Sequence, residues 1–269
     1  KANPNMGTSV SVDYMVEEIA IAEGSLSKKA EFMCKYANIK QNSSLAWLPA
    51  EAVNKISGDA ISMESLRGSY CVCGLDLSQT TDLTCACAVV EQEGRLNVIA
   101  HFWMPAEKID EATERDCVPY WTYVKRGFLS LSGDNFVDYR DCYKWFTDLI
   151  EKYQILPLAV GYDRYSAQYL IQDLKAYGFQ TDDVYQGDNL WPTIQLLEGM
   201  LKDGKVHIGD NDLLKVHLLN SAIKMSAERS RGKLVKIHPS RHIDGTAALL
   251  DAMCVRQKHY AEIGDQLRN

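Results

Sequence analysis

Residues 70–104 read YCVCGLDLSQTTDLTCACAVVEQEGRLNVIAHFWM. Three apolar runs rich in small and β-branched residues cover 70–77, 83–91 and 96–104. A polar turn at 80–82 and the pair Glu93-Gly94 separate them. Strand-length runs joined by tight turns predict an antiparallel meander, which Pro105 ends. The first run closes on Gly74-Leu75-Asp76-Leu77-Ser78, so an aspartate stands where the strand stops.

Beyond the meander, residues 106–135 mix helix and loop. The spacing of Phe136, Tyr139, Tyr143, Phe146, Leu149 and Ile150 predicts a helix over 136–153. A buried strand over 156–162 ends at Asp163, and a helix over 166–177 stops at Gly178. A short strand at 183–186, a helix at 192–201 and a strand at 205–208 follow. Asp210 is the expected cap of a helix reaching about residue 225. Residues 233–237 read as a hairpin arm and 243–260 as the last helix. Three antiparallel strands followed by alternating helices and strands fit an α/β mixed sheet with helices on both faces. A ribonuclease H-like core has that order, with one acid on its first strand and another on its fourth.

Upstream, residues 10–23 predict a helix closed by Gly24, and Ser27 caps a second helix to about residue 38. A loop with Trp47-Leu48-Pro49 leads to a short helix at 50–56. No strand alternation occurs there. Residues 1–66 are therefore expected to be a linker or helical segment, and 67–269 the main domain. The chain opens at Lys1 inside a turn-like Ala2-Asn3-Pro4-Asn5, which suggests a fragment of a longer protein.

With 269 residues, 46% hydrophobic and 24% charged, the composition is globular and allows one large domain or a domain plus an appendage. No apolar run spans a bilayer and no signal peptide is evident. The eight cysteines lack the spacing of a small disulfide scaffold. Cys71/Cys73 and Cys85/Cys87 are i, i+2 pairs within strands, so each pair shares one sheet face and reads as packing rather than zinc ligation. Unpaired thiols fit a reducing cytoplasm. The net charge of −7 counts against a nucleic-acid partner. Metal-binding carboxylates contribute to that sum, however, and charge is uneven. Lys224, Arg229, Arg231, Lys233, Lys236 and Arg241 cluster with only Glu228 opposing them. The bland alternative is a solvated hairpin; its place just before an acidic motif favours phosphate contact.

Three motifs place aspartates where divalent ions could be held: Gly74-Leu75-Asp76, Gly161-Tyr162-Asp163, and Ile243-Asp244-Gly245 with Asp251 seven positions on. Phosphodiester hydrolysis needs an activated water and relief of charge on the leaving oxygen, which two magnesium ions about 3.5–4 Å apart supply. Magnesium prefers hard oxygen ligands. Asp76 and Asp163 are each open to a plainer role, as a turn or helix cap. Asp244 begins a helix, where the dipole favours an anion. Asp251 lies on roughly the same helical face, among apolar residues, where an unpaired carboxylate is costly. Asp82 is a weaker accessory candidate. His238 and His242 flank the third motif as phosphate or leaving-group contacts, although a surface position is the commoner role for such histidines.

Taken in order, the motifs resemble the C-terminal nuclease domain of tailed-phage terminase large subunits over most of the chain. The Gly161–Tyr165 segment with its helix is similar to the second acidic motif of that family. Gln186-Gly187, Gly204-Lys205-Val206-His207 and Asn220 follow in the family's order. Ile243-Asp244-Gly245-Thr246-Ala247-Ala248-Leu249 resembles its closing signature and favours Asp244 over Asp251 as third ligand. The opening, with Ala30-Glu31-Phe32 and Asn38, resembles the stretch joining the ATPase to the nuclease. The resemblance implies a ribonuclease H-like fold, two magnesium or manganese ions, and cutting of concatemeric double-stranded DNA with little sequence preference. It also implies a portal protein, a small terminase subunit and sister large subunits as partners, acting in the host-cell cytoplasm at the procapsid. No Gly-x-x-x-x-Gly-Lys-Ser/Thr occurs, so this chain alone is not expected to translocate DNA. Asp251 replaces the apolar residue expected at its position.

Other classes compete. A junction resolvase or transposase would use the same acids on other DNA. An actin-like or sugar-kinase ATPase half would use Asp76-Leu77-Ser78 and Thr80-Thr81 as a phosphate loop, but needs a duplicated fold. A non-catalytic DNA-docking module would carry degenerate acids.

Overall fold

The computed structural model describes residues 11–23, 32, 36, 46–78, 83–163, 168–226 and 231–268. The expected second helix at 27–38, the turn with Asp82, and Arg229 lie outside the described residues, wholly or in large part. Helix α1 (Val12–Glu23) is preceded by Ser11, whose Oγ accepts from Tyr14 N at 3.2 Å. Helix α2 (Ala50–Ile56) buries Ala52, Val53 and Ile56.

The meander forms as the turn chemistry dictates. β1 (Tyr70–Asp76), β2 (Thr84–Gln92) and β3 (Arg95–Met104) pair antiparallel, with Gln92 opposite Arg95. Glu93 and Gly94 have φ of 52° and 74°, so a two-residue turn with positive φ at both positions joins β2 to β3. Then come α3 (Ile109–Asp116), α4 (Tyr120–Lys125), β4 (Leu129–Leu131), α5 (Tyr139–Glu151), β5 (Leu156–Asp163), α6 (Gln168–Tyr177) and β6 (Thr181–Val184). The chain continues through α7 (Trp191–Lys202), β7 (Val206–His207), α8 (Asp212–Leu219), β8 (Ser221–Met225), β9 (Gly232–Lys236) and α9 (Asp244–Arg268).

The main sheet runs β4-β3-β2-β1-β5-β6, with β7 on the same edge of β3 as β4. β5 pairs parallel to β1 and β6 parallel to β5, giving the ribonuclease H-like mixed sheet expected from the element order. Each face is closed by helices. On one face Val72, Cys85, Cys87, Val89 and Ala159 pack with α9. On the other, Cys71, Cys73, Leu75 and Val160 pack with Phe146 of α5 and Leu170 and Leu174 of α6. The two cysteine pairs thus serve opposite cores, as buried free thiols.

Of the described residues before 67, Trp47, Leu48, Val53 and Ile56 join the α9-side core, and Leu66 joins the other. Three expectations change. The helix expected to reach residue 225 stops at Leu219, because Ser221–Met225 pairs with β9 instead; tertiary pairing overrides local helical spacing. Its cap is Asn211, whose side chain accepts from Leu214 N, while Asp210 pairs with Arg126. Finally β4, within the stretch read as helix and loop, extends the sheet by pairing parallel to β3.

Candidate active site

Two tripeptides of one form end neighbouring parallel strands: Gly74-Leu75-Asp76 on β1 and Gly161-Tyr162-Asp163 on β5. The register sets Gly74 beside Gly161 and Leu75 beside Tyr162, so Asp76 and Asp163 leave adjacent strand ends. Strand alternation puts glycine and aspartate of each tripeptide on one face. Leu75 and Tyr162 are buried on the other. α9 covers the glycine face at very short range. A Cβ on Gly74 would stand 1.9 Å from the Ala248 carbonyl oxygen, and one on Gly161 2.5 Å from that of Asp251. Only glycine lets helix and strand backbones come so near. That approach carries Asp244 and Asp251 to the sheet end that bears Asp76 and Asp163.

A cavity of about 430 Å³ opens there, with Asp76, Ser78, Gln186, Lys233, Lys236 and Asp244 on its wall. The loop leaving Asp76 is tied back, since Ser78 N donates to Thr84 Oγ1 at 3.1 Å and Thr84 Oγ1 donates to Ser78 O at 2.9 Å. Asp244, 6% exposed, has its Oδ2 3.6 Å from His242 Nδ1 and 3.8 Å from His217 Nδ1. That oxygen has no hydrogen-bond partner among the described residues. Cys85, opposite Asp76 across the β1–β2 ladder, is held far up by burial first and then by neighbouring charges that include Asp244 and Asp76.

Asp163 and Asp251 are not on that wall, and the charge of Asp163 acts on Asp251. Asp251 is fully buried, and Gln186 Nε2 donates to its Oδ2 at 3.0 Å. Its Oδ1 has no hydrogen-bond partner among the described residues. Burial drives the Asp251 carboxyl well above the usual carboxylate range; the Gln186 hydrogen bond opposes the shift and the Asp163 charge adds to it. Gln186 joins the two halves, since it lines the cavity and also holds Asp251. Among the described residues, no three acid, histidine or cysteine side chains stand close enough to form a ready-made metal cage.

The basic residues divide. Lys224 of β8 stands directly opposite Lys233 of β9. Like charges so placed repel unless an anion lies between or beside them. Lys233 and Lys236 face the acidic cavity, while Lys224, Arg231 and Lys233 line an adjoining cavity of about 370 Å³. Arg241 departs from the row, its guanidinium reaching the Asp116 carbonyl at 3.4 Å. His238 is exposed, but His242, expected at the surface, is buried at 7% exposure. Sequence inspection missed Asp116, which His242 contacts through Nε2 at 2.9 Å. Nothing local ties Asp116 to the site, for His242 is 126 positions away.

A family model described as "Terminase large subunit, endonuclease domain" matches residues 1–260. The chain is 26% identical over 255 residues to the terminase large subunit of Enterobacteria phage HK97, covering 92% of this chain and 49% of that protein. It is 22% identical to protein YmfN of Escherichia coli K12 over 94% of this chain and 58% of that one. Against the terminase large subunit of Lactococcus phage p2 the identity is 24%, over 94% and 47% respectively. The chain therefore spans about half the length of the curated relatives it matches. In fold it superposes on the crystal structure of the HK97 large terminase with a TM-score of 0.68 at 23% identity, covering 94% of this chain and 52% of that one. The large terminase nuclease of thermophilic phage G20c gives a TM-score of 0.50 at 13% identity, over 78% and 96%. Among the described residues no helix is long and apolar enough to cross a membrane. This chain belongs to the terminase large subunit endonuclease domain family.

Proposed function

We propose that the chain is a metal-dependent endonuclease that hydrolyses phosphodiester bonds of double-stranded DNA, with Asp76, Asp163 and Asp244 as metal ligands and Asp251 as a fourth acid behind Asp163. One observation carries this reading. Two Gly-x-Asp strand ends lie side by side, and glycine contacts seat on them a helix bearing two more acids.

The donor set fits a pair of hard divalent cations, magnesium or manganese. All four candidates are carboxylates, and buried oxygens of Asp244 and Asp251 lack hydrogen-bond partners among the described residues. Magnesium keeps several waters and takes only one or two carboxylates per ion, so a closed cage of three side chains is not required. When bound, two such ions would supply an activated water and neutralise charge at the leaving oxygen. The chain's own part is to hold the carboxylates in register, to keep Asp251 against Gln186, and to present Lys233 and Lys236 to a phosphate entering the cavity. Lys224 and Arg231 extend that path towards the next phosphates. In an infected cell the same chemistry would cut concatemeric viral DNA in the host cytoplasm. A portal, a small terminase subunit and sister subunits would be its partners.

The absence of a ready cage among the described residues favours one competing reading, a DNA-docking module with acids that no longer bind metal. Nicking of supercoiled plasmid in magnesium or manganese, reversed by chelator and abolished by Asp76→Ala, supports the nuclease. Plasmid binding without nicking in either metal supports the docking module, and a preference for branched over linear duplex would point to a resolvase.

A further inference from the structure

Asp116 ends α3, where the helix dipole disfavours a negative charge, so its placement does not serve that helix. It is nevertheless buried, at 5% exposure, and densely bonded. Arg115 grips it through Nε to Oδ1 at 2.7 Å and through a terminal nitrogen to Oδ2 at 2.9 Å. Tyr120 Oη donates to Oδ2 at 3.0 Å, and His242 Nε2 lies 2.9 Å from the same oxygen. Burial alone would raise this carboxyl, but Arg115, His242 and Tyr120 together hold it below its ordinary value. The backbone of His242 is fixed as well, since Asn220 Nδ2 donates to its carbonyl at 3.1 Å.

The ring so fixed turns Nδ1 towards Asp244 Oδ2, 3.6 Å away. An aspartate at a helix start ordinarily folds back onto the first free N–H groups. Here those donors are engaged. Gly245 N donates to His217 Nδ1 at 2.9 Å, and Thr246 N and Ala247 N donate to Ile243 O. Asp244 is thus kept from capping its own helix and walled by two nearly parallel imidazoles whose centroids lie 6.4 Å apart.

We propose that Asp116 and His242 are positioning residues that fix the Asp244 carboxylate in its metal-binding orientation. The inference rests on the nuclease reading above. A carboxylate that orients a histidine behind a ligand acts as an outer-shell partner, and removing such partners costs about 10–100-fold in metal affinity.

The test is manganese titration by calorimetry on the whole chain without DNA, alongside duplex binding in chelator. Asp116→Asn and His242→Gln are compared with wild type. The glutamine amide can still reach Asp116, so that variant keeps the buried carboxylate satisfied and guards against simple misfolding. Both variants are expected to weaken manganese binding about 10–100-fold, with metal-free duplex affinity unchanged. Added to Asp244→Asn, they should cost nothing further. Wild-type manganese affinity in both variants overturns the pair, as does an equal loss with and without Asp244. If Asp244→Asn itself binds manganese like wild type, the reading of the site fails, and this inference with it.

Discussion

The sheet end and the β8–β9 hairpin flank one cavity and are built on opposite principles. At the sheet end backbone brings the acid-bearing segments together: strand register sets the ends of β1 and β5 side by side, and two glycines seat α9 almost on the strand backbones. On the hairpin, two strands of five residues present lysines on side chains with many rotamers, and Lys224 faces Lys233 at the expense of local repulsion. On the reading proposed above, geometry is fixed where ions would be held, and charge is supplied where a polyanion would be attracted. Changes at the sheet end should therefore act as a switch, and changes on the hairpin by degrees.

The largest effect expected is from Asp76→Asn, Asp163→Asn or Asp244→Asn, each of which should reduce plasmid nicking to background while leaving the circular dichroism spectrum unchanged. Wild-type nicking by any one of them removes that residue from the site. Next comes Gly74→Ala, which touches no carboxylate. Its Cβ would meet the Ala248 carbonyl, so α9 must move. The expected cost is about 1–3 kcal/mol by denaturant titration, as for other overpacked sites, together with most of the nicking. Unchanged activity would mean that backbone contact does not set the site.

Asp251→Asn should fall between the two regimes, with nicking retained but a higher manganese concentration needed for half-maximal rate. A rate as low as that of Asp163→Asn would promote Asp251 to an obligatory ligand. On the hairpin, charge reversal at Arg231 and Lys233 should weaken duplex binding and flatten its salt dependence, by about 0.9 in log–log slope for each phosphate no longer neutralised. An unchanged slope would return the hairpin to an ordinary solvated element.

The smallest effect expected is at Asp182, which contrasts with Asp251 in being bound by cations. Burial alone would raise its carboxyl, but Lys258 and His259 of α9 bind it and hold it below the ordinary value. A group lowered in the folded state adds stability above its unfolded value, about 3.9, and loses it as pH falls through the folded one. Asp182→Asn should therefore lower the melting temperature slightly at neutral pH, and the difference should shrink in acid below that range. A difference that grows in acid would contradict the assigned direction.

What could be read from sequence follows the same division. The meander was legible because its turns are local: Glu93-Gly94 states its own conformation. Asp76, Asp163 and Asp244 stood out because each closes or opens an element, a position that one short window shows. Whether Asp76 and Asp163 share an edge of the sheet depends on topology, and the parallel register of β1 and β5 puts their strand ends side by side. Features decided by distant partners were not legible. The end of α8 depends on β9, the burial of His242 depends on Asp116, and the role of Gln186 depends on Asp251, 65 positions on. The glycines of the two tripeptides were visible, but their reason was not, since it lies in the backbone of a helix at the far end of the chain.

The central claim is that Asp76, Asp163 and Asp244, from three separate parts of the chain, serve one pair of cations. Crystals soaked in manganese test it most directly through anomalous scattering. Two peaks are expected within the reach of Asp76, Asp163 and Asp244, at the mouth of the cavity shared with Lys233 and Lys236. Manganese bound only elsewhere, or absent at saturating concentration with these carboxylates ordered, would contradict the claim.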